Sequence, residues 1–337
     1  MDASKVHSEA LVIDALGGQV VPMPAVRDGK DFFDRLKEAG ITGLSVTIEA
    51  RFATFEDLLS AVYKHEMVWE LYGNRVKLVL KPEDFETCKK EGKIGLLMGL
   101  QTGSPVENDL RKVTFLKKLG VQMMAVTYME ANLLGCGCLE PNDTGLTHIG
   151  RQVVREMNRL GLIVDLSHVG YKTALDAITA SYKPVMFSHS NATKVTKHPR
   201  NIPDELIVAC AERGGLICAT PYGPCTSPDP FHGVQATMDD FMRHIDYLVK
   251  LVGVDHVGIG TDRFEGKGEA EWNATTKRRY PESVGAFEFN KVFTIGFQNL
   301  TSWPSITAML LKNGYSEDDV KKIVGGNFLR VYKTIAN

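Results

Sequence analysis

The sequence lacks the features that mark membrane-spanning, secreted or nucleic-acid-binding proteins. None of its apolar runs approaches the roughly 18 residues that cross a bilayer. Positive charge is not in excess, because 39 Lys and Arg residues stand against 41 Asp and Glu residues. This balance provides no basic footprint for nucleic acid or an anionic membrane. Charges also interrupt the N-terminal stretch MDASKVHSEA, where a signal peptide would have its apolar core. We therefore expect a cytoplasmic protein whose partner is neither nucleic acid nor membrane.

Phosphate-binding glycine loops and a disulfide framework are missing as well. Neither GxGxxG nor GxxxxGKS/T occurs, which disfavours nucleotide binding. Six cysteines in a chain of 337 residues without a secretion signal are expected to be free thiols. No charge block or Pro/Ser-rich linker divides the chain, so residues 1–337 are predicted to form a single domain.

The chain does contain short apolar runs that alternate with amphipathic helical patterns. Most runs are nearly continuous and are bounded by Gly or Pro, as in parallel strands buried on both faces. The eight runs are residues 10–16, 41–48, 94–100, 121–128, 162–168, 184–189, 215–220 and 256–262. The clearest helical patterns cover residues 30–38, 54–71, 147–160 and 239–252. This order predicts an α/β protein with a (β/α)₈ TIM-type barrel, and a doubly wound sheet is the alternative.

Polar residues follow several of the predicted strands, where the loops of a barrel converge on one mouth. Gln101 ends the third, Tyr128 the fourth, His168 the fifth, His189 the sixth and Asp262 the eighth. A neutral imidazole can bind a divalent metal, and a nearby aspartate can be a ligand or transfer a proton. A single histidine of this kind would favour a structural role, but two at separate strand ends favour a functional site. Asp262 could alternatively cap the loop that follows it.

A further candidate is Arg200, in the segment KHPRNIPDE after the sixth predicted strand. Its planar guanidinium is suited to bind a substrate carboxylate. The alternative is that Arg200 and His198 form a basic turn exposed to solvent. Asp165 lies within a predicted buried strand and is expected to be a structural hydrogen-bond acceptor.

Four segments resemble the membrane (renal) dipeptidase family of metallopeptidases. They are residues 142–170 (NDTGLTHIGRQVVREMNRLGLIVDLSHVG), 183–191 (KPVMFSHSN), 198–204 (HPRNIPD) and 246–262 (DYLVKLVGVDHVGIGTD). The similarity runs from residues 7–15 to residues 324–332 and so covers essentially the whole chain. It implies a (β/α)₈ barrel that hydrolyses dipeptides with a binuclear zinc centre, and a homodimer is common among such relatives.

The resemblance also implies roles for individual residues. His168 and His189 match the pair that holds the second zinc, and Asp262 matches the acid/base aspartate. Arg200 matches the arginine that grips the substrate carboxylate, and Tyr128 matches a His or Tyr near the scissile carbonyl. Asn201, beside Arg200 in the matching segment, is assigned to substrate binding with Arg200, Tyr128 and Gln101.

Two departures from the family pattern concern the metal ligands. Leu16-Gly17-Gly18 stands where the family has His-x-Asp, and Gln101 stands where a glutamate bridges both ions. Leucine and glycine cannot bind zinc and glutamine carries no charge, so the repulsion between two dications is no longer offset. The sequence predicts at most one divalent ion, zinc or none, held by His168 and His189. Cys136 is a candidate third ligand, although a small buried thiol is the simpler expectation.

These considerations predict hydrolysis of an amide or related C–N bond in a small carboxylate-bearing substrate other than an ordinary dipeptide. Two alternatives remain open: a lyase such as a decarboxylase that uses the same site, and a pseudo-enzyme with a binding role.

Overall fold

A computed structural model describes residues 2–18, 29–48, 54–264 and 268–337. Eight parallel strands follow one another around a barrel: β1 (Ile13–Asp14), β2 (Gly43–Thr47), β4 (Ile94–Leu100), β5 (Val121–Ala125), β6 (Ile163–Asp165), β7 (Met186–Phe187), β8 (Leu216–Ala219) and β9 (Val257–Ile259). Each lies within one of the eight apolar runs, and the predicted (β/α)₈ barrel is confirmed. The doubly wound alternative is wrong, because the order of pairing follows the chain without reversal.

The barrel is nearly closed between its first and last strands. The backbone N–H of Ala15 donates to the carbonyl of Ile259 at 2.9 Å, and that of Asp262 donates to the carbonyl of Leu16 at 2.8 Å. One further strand, β3 (Val76–Leu78), pairs with the start of β4, where Val76 lies opposite Ile94. The apolar-run analysis missed β3, whose central residue is a lysine.

Helices follow most of the strands and cover the outside of the barrel. In the described part of the chain they are α1 (Ala3–Glu9), α2 (Phe32–Glu38), α3 (Phe55–Tyr72), α4 (Glu83–Glu91), α5 (Arg111–Lys118), α6 (His148–Leu160), α7 (Tyr171–Ala180), α8 (Asp204–Glu212), α9 (Gly223–Thr226), α10 (Met238–Val252), α11 (Glu269–Trp272), α12 (Pro281–Val284), α13 (Trp303–Lys312), α14 (Glu317–Lys321) and α15 (Asn327–Ala336). The capping residues explain the sharp starts of two long helices. Thr54 with Asp57 begins α3 and Thr237 with Asp240 begins α10, each pair forming reciprocal side-chain-to-backbone bonds.

Two layers of apolar side chains hold the barrel together. One lies between the strands and the surrounding helices, and the other fills the barrel interior. Residues of α15 close the interior at one end, where Phe328 packs edge-on against Phe85. Among the helices described, none has the length together with the apolar composition that a membrane span would need.

Candidate active site

The carboxyl ends of five barrel strands bring the predicted residues to one mouth. Gln101 follows β4, Tyr128 follows β5, His168 follows β6, His189 follows β7 and Asp262 follows β9. His168 has a φ of 72° and Asp262 a φ of 48°, in the left-handed region that non-glycine residues rarely adopt. Such backbone strain concentrates at functional positions, where the surrounding structure holds a side chain in a required direction.

The two histidines meet inside the mouth. Their Nε2 atoms lie 2.8 Å apart, and both rings are buried. The Tyr128 ring stacks on the His168 ring, with a centroid separation of 4.0 Å and an angle of 25°. Burial lowers the pKa of His189 well below its usual value, and the nearby positive charge of Arg200 lowers it further. His189 is therefore a neutral imidazole at neutral pH.

Asp262 is a carboxyl group that titrates near neutral pH. Burial raises its pKa to about 7 against the opposing attraction of Arg200, and the buried carboxylate of Asp14 raises it further. A group with such a pKa can both accept and donate a proton at physiological pH, which is the requirement for general acid–base catalysis.

Arg200 is a buried cation, with 4% of its surface exposed. Its side chain makes one long hydrogen bond, 3.5 Å from Nη2 to the carbonyl of His189, and it forms no ion pair with any described residue. Burial opposes its charged form, yet its neighbours Cys138, Cys225 and Asp262 raise its pKa overall. A buried guanidinium without a paired carboxylate is suited to receive an anionic group of a ligand.

The loop that carries Arg200 is held from both sides. Neutral His198 donates from Nε2 to the carbonyl of Ser283 at 2.8 Å and accepts at Nδ1 from the backbone N–H of Arg200 at 3.2 Å. Burial lowers the pKa of His198 to about 4. The solvated-turn alternative is wrong for both residues, because His198 is 5% and Arg200 4% exposed.

Asn201 contributes to the same support. Its amide nitrogen donates to the carbonyls of Thr196 at 2.9 Å and Cys225 at 2.8 Å. Its Oδ1 is buried and has no hydrogen-bond partner among the described residues. The observed contacts of Asn201 are thus structural, and its role in substrate binding stays a prediction.

At the end of the first strand the structure leaves no room for a side chain at Gly18. A Cβ atom added to Gly18, whose φ is 83°, would lie 2.5 Å from the carbonyl oxygen of Arg263. Leu16 is 1% exposed and belongs to the barrel interior. Gln101 donates from Nε2 to the hydroxyl of Thr47 at 2.7 Å. This end of the mouth carries no formal charge from Leu16, Gly18 or Gln101.

The donor set does not fit the binuclear centre that the family resemblance implies. Within the described ranges no group of three His, Cys, Asp or Glu side chains is arranged to hold an ion. His168 and His189 supply two nitrogens, whereas a catalytic zinc usually has three protein ligands. Tetrahedral coordination with Zn–N bonds of 2.0–2.1 Å would require these nitrogens to separate to about 3.3 Å. The sulfur of Cys136 instead contacts the Asn142 carbonyl and the Thr144 hydroxyl, each at 3.8 Å.

The prediction from sequence missed Tyr222 and Cys138, which also lie near the site. Burial raises the pKa of Tyr222 well above its usual value, and the charge of nearby Asp262 raises it further. Burial also raises the pKa of Cys138, to about 11, close to Arg200. Both side chains are therefore neutral. The strand-end rule would have found Tyr222, since it follows the seventh apolar run by two residues, whereas the position of Cys138 depends on loop geometry.

Paired histidines, an aspartate that titrates near neutrality and a buried arginine lie together at the mouth of a (β/α)₈ barrel, the end at which enzymes of this fold have their active sites. The family model described as membrane dipeptidase (peptidase family M19) matches residues 30–282 and 283–337. The chain belongs to this family, as its sequence motifs predicted.

Individual relatives agree with this assignment. The chain is 30% identical over 285 residues to dipeptidase tcpJ of Claviceps purpurea (strain 20.1), covering 84% of this chain and 61% of that protein. It therefore spans about three fifths of the length of that curated relative. The crystal structure of an amidohydrolase from Pseudomonas aeruginosa is similar at a TM-score of 0.89 and 30% identity, with 99% of each chain covered. The probable dipeptidase PvdM of Pseudomonas aeruginosa shares the fold at a TM-score of 0.81 and 21% identity, with coverages of 99% and 97%.

Proposed function

We propose that this protein is a hydrolase of the M19 type that cleaves an amide or related C–N bond in a small molecule bearing a carboxylate. The observation that carries the proposal is the buried guanidinium of Arg200, which has no ion pair with a described residue and lies near Asp262. The fold to which Arg200 is fixed belongs to a family described as dipeptidases. The similar amidohydrolase and dipeptidase support the same reaction class.

We assign the proton transfers of this reaction to side chains at the mouth of the barrel. Hydrolysis requires a base that takes a proton from the attacking water and an acid that gives one to the departing nitrogen. Asp262, with a pKa of about 7, can perform both steps in turn. The imidazole of His168, the neutral imidazole of His189 and the neutral phenol of Tyr222 add further hydrogen-bonding groups beside it.

The proposal allows at most one divalent ion, with zinc as the expected metal and His168 and His189 as its ligands. Because the described donors fall short of three, no step of the proposed reaction depends on that ion.

The uncharged end of the mouth restricts the substrate. Gln101 and Gly18 stand where the family pattern has acidic ligands, so neither position offers a carboxylate to the free amine of a dipeptide. We expect a neutral acyl group in this position and the carboxylate at Arg200.

A substrate panel tests the proposal. We expect N-acetyl or N-formyl amino acids to be hydrolysed at least tenfold faster than the corresponding free dipeptides, as measured by release of the amino acid. Incorporation of ¹⁸O from water into the acyl product identifies hydrolysis. Faster turnover of the dipeptides would contradict the proposed substrate restriction.

A lyase is the second candidate, because the titratable carboxyl of Asp262 can also protonate a carbanion without any bridging hydroxide. Release of CO₂ or an alkene from a carboxylate substrate without incorporation of ¹⁸O would favour it over hydrolysis. Binding of carboxylates without turnover would favour the pseudo-enzyme. The homodimer implied by the family resemblance stays a prediction that light scattering would test.

A further inference from the structure

A buried carboxylate behind the histidine pair has a defined set of donors. Asp165 is 1% exposed. Its Oδ1 accepts from the backbone N–H groups of Ser167 and Ser188, each at 3.0 Å. Its Oδ2 accepts from the hydroxyl of Ser188 at 2.6 Å.

The same hydroxyl contacts the ring of the next residue. Ser188 Oγ lies 2.7 Å from Nδ1 of His189. A serine hydroxyl has one hydrogen, and the short bond to Asp165 uses it in preference to the longer contact of 3.3 Å with Ser167 Oγ. With that hydrogen on the bond to Asp165, Ser188 accepts from His189, which assigns the ring proton of His189 to Nδ1. The lone pair on His189 Nε2 then accepts the Nε2 proton of His168 at 2.8 Å.

A second buried carboxylate repeats this arrangement beside the acid/base aspartate. Asp14 is 0% exposed, and its Oδ1 accepts from the backbone N–H groups of Leu16 at 3.1 Å and Thr261 at 2.9 Å. Its Oδ2 accepts from the hydroxyl of Thr261 at 2.6 Å and from Nε1 of Trp303 at 3.0 Å. Thr261 precedes Asp262 in the chain as Ser188 precedes His189.

The two arrangements come together at Gly260. A Cβ atom at this position would lie 1.8 Å from the carbonyl oxygen of Ser188, so glycine is required for the approach. The backbone before Asp262 thus lies against the backbone before His189.

We infer that Asp165 with Ser188, and Asp14 with Thr261, are positioning residues for His189 and Asp262. The first pair fixes the tautomer of His189, and the second holds the left-handed backbone of Asp262 at a φ of 48°. None of the four is expected to touch the substrate. The inference rests on the proposed function in one respect, that His189 and Asp262 take part in the reaction.

The first pair is tested by ¹⁵N NMR of imidazole nitrogens in protein labelled at histidine, at fixed neutral pH. The His189 signals are assigned by their loss in His189→Gln. We expect the Nδ1–H tautomer in the wild type and a shift of the population towards Nε2–H in Ser188→Ala. Ser190→Ala is the control, because its hydroxyl is equally buried and contacts Ser167 Oγ at 3.4 Å. An Nε2–H tautomer in the wild type overturns the inference even if Ser188→Ala does not fold, and so does an unchanged tautomer in a folded Ser188→Ala.

The second pair is tested by two substitutions at one position. Thr261→Val removes the hydroxyl and keeps the shape, whereas Thr261→Ser keeps the hydroxyl. With the best substrate of the panel, we expect kcat to fall at least tenfold in Thr261→Val with KM within twofold, and to recover in Thr261→Ser. If kcat fell equally in both folded variants, or did not fall in Thr261→Val, the positioning role of Asp14 and Thr261 would be overturned. The NMR measurement needs no substrate. If no hydrolysis were found, the proposed function would be refuted, but the measured tautomer of His189 would still test the role of Asp165 and Ser188.

Discussion

Burial governs the chemistry of the individual side chains at the mouth of the barrel. It raises the pKa of Asp262 to about 7 and lowers that of His189 well below its usual value. The charge of Arg200 acts in the opposite direction on Asp262 and in the same direction on His189. At neutral pH the guanidinium of Arg200 therefore lies near a neutral His189 and a half-ionised Asp262, an arrangement suited to an anionic ligand.

Asp262→Asn should stabilise the protein in a pH-dependent way. The carboxyl has an ordinary pKa of 3.8 and a folded-state pKa of about 7, so the folded state binds its proton more tightly. The stability of the wild type therefore falls as the pH rises from about 4 to about 7. At about 1.4 kcal/mol per pKa unit, the variant should be more stable by up to about 4 kcal/mol above pH 7, with no difference below pH 4.

Urea unfolding at several pH values measures this difference. Glu70→Gln, an exposed position on α3, serves as the control for removal of one negative charge. If Asp262→Asn were less stable than the wild type at pH 8, the raised pKa of Asp262 would be refuted.

The Asp262→Asn variant should also lose most of its turnover, because asparagine cannot transfer the proton.

Removal of the guanidinium should weaken substrate binding. A charge-assisted hydrogen bond contributes about 1.5–3 kcal/mol, so Arg200→Met should raise KM by about 10- to 150-fold for substrates with a carboxylate. The exposed Arg213→Met is the matched control and should leave KM unchanged. Steady-state kinetics with a substrate and its carboxamide analogue separate the effects. An equal KM for both substrates in the wild-type enzyme would show that Arg200 does not bind the carboxylate.

At the scale of the elements, the period and boundaries of apolar runs predicted all eight barrel strands. The apolar runs did not predict β3 (Val76–Leu78), because Lys77 interrupts a short apolar stretch there. The extended conformation of β3 depends on its pairing with Ile94–Leu100. The strand-end rule found His168, His189 and Asp262 because parallel strands necessarily end at one mouth. It could not reveal that Asp14 and Asp165 hold these ends, since their partners Thr261 and Ser188 are distant in sequence and are recognised by hydrogen-bond geometry.

Restoring the family's ligand residues at the end of β1 should not restore a second metal. In Leu16→His/Gly18→Asp, the new Cβ at Gly18 would lie 2.5 Å from the Arg263 carbonyl in a left-handed backbone conformation. We expect a loss of about 1–3 kcal/mol in the free energy of unfolding and no additional bound zinc. Gly268→Ala, where a Cβ meets no atom within 4 Å, is the control for loss of a glycine. A variant of wild-type stability that binds two zinc ions would contradict this account.

At the scale of the whole molecule, the chain belongs to the family, whereas its residues at positions 16, 18 and 101 differ from the family pattern of metal ligands. The matched residues 30–282 and 283–337 cover nearly the entire chain, and the barrel is preserved to a TM-score of 0.89 against a structure with 30% identity. A preserved scaffold does not by itself preserve a reaction, because the activity depends on the side chains placed at the strand ends. Here Gly18 matches the aspartate that binds one zinc in the family pattern and Gln101 matches the glutamate that bridges both ions, and both residues are uncharged.

The metal content of the purified protein after incubation with excess zinc and removal of free ion tests this account most directly. Mass spectrometry of the native protein, supported by elemental analysis, counts the ions bound per chain. The account predicts one zinc or none, together with negligible cleavage of dipeptides in the presence of zinc. Two tightly bound zinc ions per chain, with rapid dipeptide hydrolysis, would contradict it.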